Sequence, residues 1–291
     1  MNHCIRTEFS KCFHSISFII SITICILLAL FSASYCCQGY LNIHDVLNQY
    51  CFENGHMISN ELFPVWTSFN YWIGGESESL AYSAFYMLLP MFATLPYSLS
   101  CLQERTSSYA NQIIVRTGRR PYYLSKGIVC FSASFITIVV PLILNFIVTV
   151  AFIPSTVPQI NYEIYNHVCF GSMWADLFYS HPLVYVVLYI LLDGLFSGVI
   201  ALFGYALSFY ITNQFAAAAL PLLLFWGIDY LSGLLARAVP GTSWTYEISP
   251  IAYLHPATIR YDPNGFLIMI EAAVLFLSAC SIIYKRGIQH E

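Results

Sequence analysis

The sequence predicts an all-α integral membrane protein with six transmembrane helices, and three observations lead there. Charged residues make up 9% of the 291 positions, against roughly 25% in soluble domains. Hydrophobic residues make up 58%, the mean hydropathy is +0.67, and apolar runs near 20 residues recur, long enough to cross roughly 30 Å of hydrocarbon. The few basic residues fall on alternate sides of those runs. The whole chain, 1–291, reads as a single transmembrane domain.

The expected spans lie at about 16–35, 80–100, 127–152, 183–210, 215–235 and 266–284. Arg6 and Lys11 precede the first, Arg105, Arg116, Arg119, Arg120 and Lys126 follow the second, and Lys285 and Arg286 follow the sixth. Loops 36–79 and 153–182 hold no Lys or Arg, and the last external segment has only Arg237 and Arg260. Nine of eleven bases therefore share one side, which the positive-inside rule makes cytoplasmic. The expected location is the plasma (cytoplasmic) membrane, with multiple passes and both termini inside. A signal peptide is the competing reading of the N-terminus, since Ser32, Ala33 and Ser34 follow a basic start and an apolar run. That run exceeds the usual apolar core of about 7–15 residues, and Tyr35 before Cys36 spoils a lipoprotein site, so an uncleaved span is expected. Residues 2–14 suit a helix lying at the interface, with Arg6 and Lys11 toward headgroups.

The first external loop carries Asp45, Glu53, Glu61, Glu76 and Glu78 and no base. It is either an acidic vestibule for cations or an ordinary translocated loop depleted of Lys and Arg. Trp66, Tyr71 and Trp72 point to a segment packed at the interface. Of the ten cysteines, Cys36, Cys37, Cys51 and Cys169 lie outside, leaving open a disulfide through Cys51 or Cys169; none has C-x-x-C spacing. The histidines are scattered, and the pair His167 and Cys169 is too slight to mark a metal site, so none is expected.

Ionisable residues at membrane depth are functional pointers. Asp193 lies about ten residues into the fourth span, roughly 15 Å deep at about 1.5 Å per residue. Gly194 and Gly198 follow it in a small-xxx-small face that admits a close neighbour. Asp229 and Glu271 sit about six residues from the outer ends of their spans. These five residues are candidates for a translocation path or gate. For the acids, pairing with a hydroxyl (Asp193) or with Arg237 or Arg260 (Asp229, Glu271) competes with that role. Pro221 suggests a kink in the fifth span. The segment 236–265, with four prolines and several aromatics, reads as short re-entrant helices in the outer interface.

The most basic stretch is 101–126. Thr106 or Ser107 can cap a short amphipathic helix in which Tyr109, Ile113 and Arg116 recur at helical spacing. Gly118 offers a left-handed stop, and Pro121 suits the first turn of the next helix. No G-x-x-x-x-G-K-[ST] phosphate loop, G-x-S-x-G elbow or kinase motif is present, so energy from ATP has to enter through another chain. Nothing in the charge pattern points to nucleic acid.

With these residues in view, the chain resembles the permease subunits of type-2 ABC exporters, the type V fold. The resemblance rests on six spans with cytoplasmic ends, an N-terminal interfacial helix, and the order Glu104-Arg105, Arg116-Thr117-Gly118-Arg119-Arg120-Pro121 and Lys126 after the second span. The re-entrant segment between spans five and six also fits. The glycine that such chains often carry soon after the acid-arginine pair is replaced here by Thr106, Ser107 and Ser108. The resemblance implies a coupling helix docked on a separate ATPase subunit, which would carry ATP and magnesium. Glu104, Arg105, Tyr109, Ile113, Arg116, Gly118, Arg119 and Arg120 would form the docking surface. It also implies a second permease chain, the same or related, and a small, amphipathic or peptide substrate in a path through the bilayer. This chain is then not itself an enzyme. The alternatives are a channel or intramembrane enzyme using Asp193, Asp229 and Glu271, or a non-transporting anchor or sensor subunit.

Overall fold

The computed structural model describes residues 2–54, 66–107, 109–160, 166–169, 171–239, 248–256 and 265–289. Helix α1 (Asn2–Phe13) is followed after two residues, His14 and Ser15, by α2 (Ile16–Asn54). The expected loop at 36–79 therefore begins as helix. No proline interrupts 36–54, and Gly39, the one glycine there, packs on Trp66. Cys36 and Cys37 bury against Ile153 at the end of the third span, so tertiary packing holds the extension in place.

A short helix, α3 (Ser68–Tyr71), leads to α4 (Leu80–Thr94), whose first turn is capped by Ser79 accepting from the Tyr82 N–H. Fifteen residues give α4 about 22 Å, short of a full hydrocarbon layer. It stops before the expected residue 100 because Pro96 offers no N–H to the ladder. After a turn come α5 (Ser100–Thr106) and α6 (Tyr109–Thr117).

The long helices α7 (Arg119–Phe152) and α9 (Pro182–Leu207) form the centre, with the short α8 (Ala175–Ser180) before the second of them. Helices α2 and α4 flank α7; α4 and α12 (Gly265–Ile282) flank α9; α10 (Gln214–Ala238) leans on α4. The small-xxx-small face works as expected. A Cβ added at Gly194 would come 2.4 Å from Val139, and one at Gly198 2.5 Å from Phe131, so only glycine lets α7 and α9 meet this closely. Pro221 sits inside α10 and packs toward Gly204. Of the expected re-entrant segment, 236–238 continue α10 and 250–254 form one turn of helix, α11 (Pro250–Leu254); residues 240–247 and 257–264, including Arg260, lie outside the described residues. The chain closes with a π-helical segment, Ile283–Gln289.

Among the described residues, five helices are long and apolar enough to cross a membrane: Ile16–Val46, α7, α9, α10 and Gly265–Gln289. The molecule is an all-helical, multi-pass membrane protein. At one end, here called basal, α1, α5, α6, the start of α7 and the π-helical segment converge. The other, distal end carries α3, α8 and α11. There Asn145 of α7, fully buried, accepts from the Ile73 N–H at 2.8 Å and donates to the Ala29 carbonyl at 2.7 Å. Trp66 stacks on Tyr71 with ring centroids 3.9 Å apart, and Trp72 is fully buried, as expected of a packed segment.

Candidate functional site

The basal end is built around four charges drawn from three elements. Lys126, near the start of α7, is 1% exposed. Its ammonium lies 2.9 Å from Glu8 of α1 and 3.2 Å from Glu104 of α5. Lys11 reaches the same two carboxylates, at 2.8 Å and 3.4 Å. Two phenols fill the remaining acceptor sites: Tyr97 donates to Glu8 and Tyr122 to Glu104, both at 2.6 Å. Lys126 also bonds the Ser100 hydroxyl and lies near the faces of Tyr97 and Tyr122. The result is a closed, neutral box of two ammoniums and two carboxylates, which lets charges sit where water is largely excluded. Burial alone would push the Glu8 carboxyl up; the Lys126 charge and the hydrogen bonds from Lys11, Tyr97 and Lys126 outweigh it and hold the group below its ordinary value. For Lys11, burial works downward, and bonding to Glu8 with the field of Glu104 more than offsets it, leaving the ammonium above its ordinary value.

Arg105 adds a second tie. Its guanidinium donates to the Ser208 carbonyl at 3.3 Å and lies over the Phe209 ring, joining α5 to the end of α9. So Glu104, half-buried, is an anchor inside the box, while Arg105 stays exposed and ties α5 to α9 from the surface.

Residues 104–118 are two helices rather than one. Thr106 and Ser107 do not cap the second: their hydroxyls turn back to carbonyls of Leu102, Gln103 and Glu104 and close α5. Helix α6 presses Ala110 onto the bundle, with Ile113 and Ile114 partly buried beside it. Tyr109 is exposed beside the Lys11 ammonium. Arg116, Gly118, Arg119 and Arg120 are exposed as expected, and Val115, which the sequence reading passed over, is 86% exposed. Gly118 has φ 84°, the left-handed stop that lets α7 start in a new direction.

Each intramembrane acid accepts from one nearby hydroxyl. Asp193 is fully buried and accepts from the Tyr86 hydroxyl at 3.3 Å; among the described residues its second oxygen has no partner. The hydroxyl pairing that the sequence allowed is present. Asp229 accepts from Ser249 at 2.5 Å and Glu271 from Tyr253 at 3.0 Å, so both bind the α11 segment in place of the expected Arg237. Each acid holds its own hydroxyl.

On the distal side, Glu76 is buried and accepts from Ser32, Ser79 and Cys36, which makes it a structural acid and not a vestibule charge. Glu78 and Asp45 are exposed. Cys36 and Cys37 are free thiols; the side chain of Cys51 and all of Glu61 lie outside the described residues. His167 bonds the backbone of Gly75 and Asn70.

Sequence reasoning missed Glu8. The signal was there: it is the one acid in a short helix whose lysine follows three residues later, facing a lysine set just inside an apolar run. No family model, curated protein or solved structure matches the chain.

Proposed function

We propose that this chain is the transmembrane subunit of an ATP-driven exporter, of the kind seen in type-2 ABC permeases, worked by a separate ATPase subunit. In this reading α4 is a span as well, the second of six, the basal end faces the cytoplasm, and two permease chains enclose the path. The observation that carries it is α6: a short amphipathic helix with an exposed Tyr109, Val115 and Arg116, bounded by the Gly118 stop. Its neighbours on both sides are clamped to three helices through the ion box and Arg105. A topology signal alone accounts for the arginines but not for a helix held this rigidly by groups that cost free energy to bury. Closure of the ATPase pushes α6, and the box passes that displacement to α1 and α7 together.

The cargo is amphipathic or hydrophobic, a peptide antibiotic or a drug. A cavity of about 280 Å³ between α4, α10 and α11, lined by Tyr82, Ser83, Tyr86, Met87, Asp229 and His255, offers aromatic faces and one carboxylate to such a molecule. The test is purification in mild detergent followed by ATPase assay. A soluble ATPase chain should accompany the protein, and Arg116→Glu with Arg119→Glu should abolish stimulated hydrolysis while membrane insertion is unchanged. Unaltered stimulation in that variant would refute the docking role.

A further inference from the structure

Between α7, α9 and α12, on the bundle's outer surface at the basal end, lies a second cavity of about 590 Å³. Its walls are almost wholly apolar, among them Leu124, Ile128, Phe131, Leu202, Phe276 and Ile283. Along α7 it runs from Tyr123 to Ser132, nine steps or roughly 14 Å at about 1.5 Å per residue. That is about the hydrocarbon depth of one leaflet, half of roughly 30 Å. Two of the three walls, α7 and α12, carry bases at their basal ends, and none of the three carries an acid there. Arg119 and Arg120 open α7, and Lys285 and Arg286 follow α12. Residues 105–160, 194–213 and 272–289 contain no Asp or Glu among the described positions. The nearby Glu104 is already neutralised in the ion box.

We infer that this groove holds an acyl chain of an anionic phospholipid, with its phosphate at the basic rim formed by Arg119, Arg120 and Lys285. Apolar walls of one-leaflet length take the chain, and a rim of uncompensated positive charge selects the headgroup. A second copy of the protein is the weaker occupant. A two-fold axis along the membrane normal would bring the same basic rims side by side, and like charges there repel.

The experiment is native mass spectrometry of the protein in mild detergent, equilibrated with phosphatidylglycerol and phosphatidylcholine in equal amounts. Phosphatidylglycerol should be retained in preference, and Lys285→Gln should reduce that preference about fivefold. Ile128→Trp, which fills the groove from an exposed position, should lower retention of the bound lipid, whereas Ile147→Trp, exposed on the same helix but not lining the groove, should not. Equal retention of the two lipids would overturn headgroup selection. Efficient oxidative cross-linking of Cys280, an exposed thiol lining the groove, between two copies in native membranes would overturn the lipid assignment in favour of a second copy.

Discussion

Replacing Lys126 by methionine should undo the basal end more thoroughly than any other single change to the ion box. Lys126 is 1% exposed and sits between two carboxylates at 2.9 and 3.2 Å. Removing it leaves Glu8 and Glu104 sharing Lys11, whose side chain is 36% exposed and 3.4 Å from Glu104. Stranding a buried partner in this way costs about 3–5 kcal/mol. Lys11→Met removes the more exposed cation and leaves Lys126 between both carboxylates, so it should cost less than Lys126→Met. The double variant Glu8→Gln with Lys126→Met restores neutrality and should recover about 0.5–3 kcal/mol of the sum of the single changes. Equilibrium unfolding in mild detergent reads the free energies. Alkylation of Cys12 reads the local event, because this thiol is buried on the face of α1 and burial pushes it up to about 12, so it stays unreactive while α1 is docked. Equal small losses for Lys126→Met and Lys11→Met, with Cys12 still protected in both, would refute the box as the clamp.

The same box makes docking of α1 acid-sensitive. Glu8 titrates lower folded than unfolded, so its contribution is fully present above the ordinary value of 4.5 and lost as pH falls through the lower folded one. Hydrogen exchange in α1 should accelerate below about pH 4.5, and Glu8→Gln should remove that dependence. Gly194→Val forces side-chain atoms into Phe135 and Val139 and should cost at least about 1–3 kcal/mol, read as a lowered midpoint of thermal unfolding. Asp193→Asn keeps an acceptor for Tyr86 and should be tolerated, whereas Asp193→Leu strands that hydroxyl and should cost about 1–3 kcal/mol in the same assay.

The membrane class and the central helices were legible because apolar length and charge segregation are one-dimensional signals. Helices α7, α9, α10 and α12 lie within a few residues of the expected spans, α7 apart, which starts eight residues early, at Arg119. Gly194, Gly198 and Gly118 play the close-approach and turn roles that their spacing suggested. What escaped were features decided by distant contacts. Helix α2 runs on to Asn54 because Cys36 and Cys37 find Ile153 more than a hundred residues later. The ion box joins positions 8, 104 and 126 across three elements, which no local pattern encodes. Glu104 and Arg105 lie beside a short basal helix, as the sequence suggested; Glu104 turns inward to Lys126, and the exposed Arg105 reaches back to the Ser208 carbonyl.

The most direct measurement is photocross-linking from position 115, the most exposed apolar side chain of α6, in native membranes, with adducts read by mass spectrometry. Adducts to a nucleotide-hydrolysing protein are expected, and they should weaken in Lys126→Met, where the handle has lost its anchor. Adducts to lipid alone, or an unchanged adduct pattern in Lys126→Met, would contradict a clamped helix through which an ATPase drives the bundle.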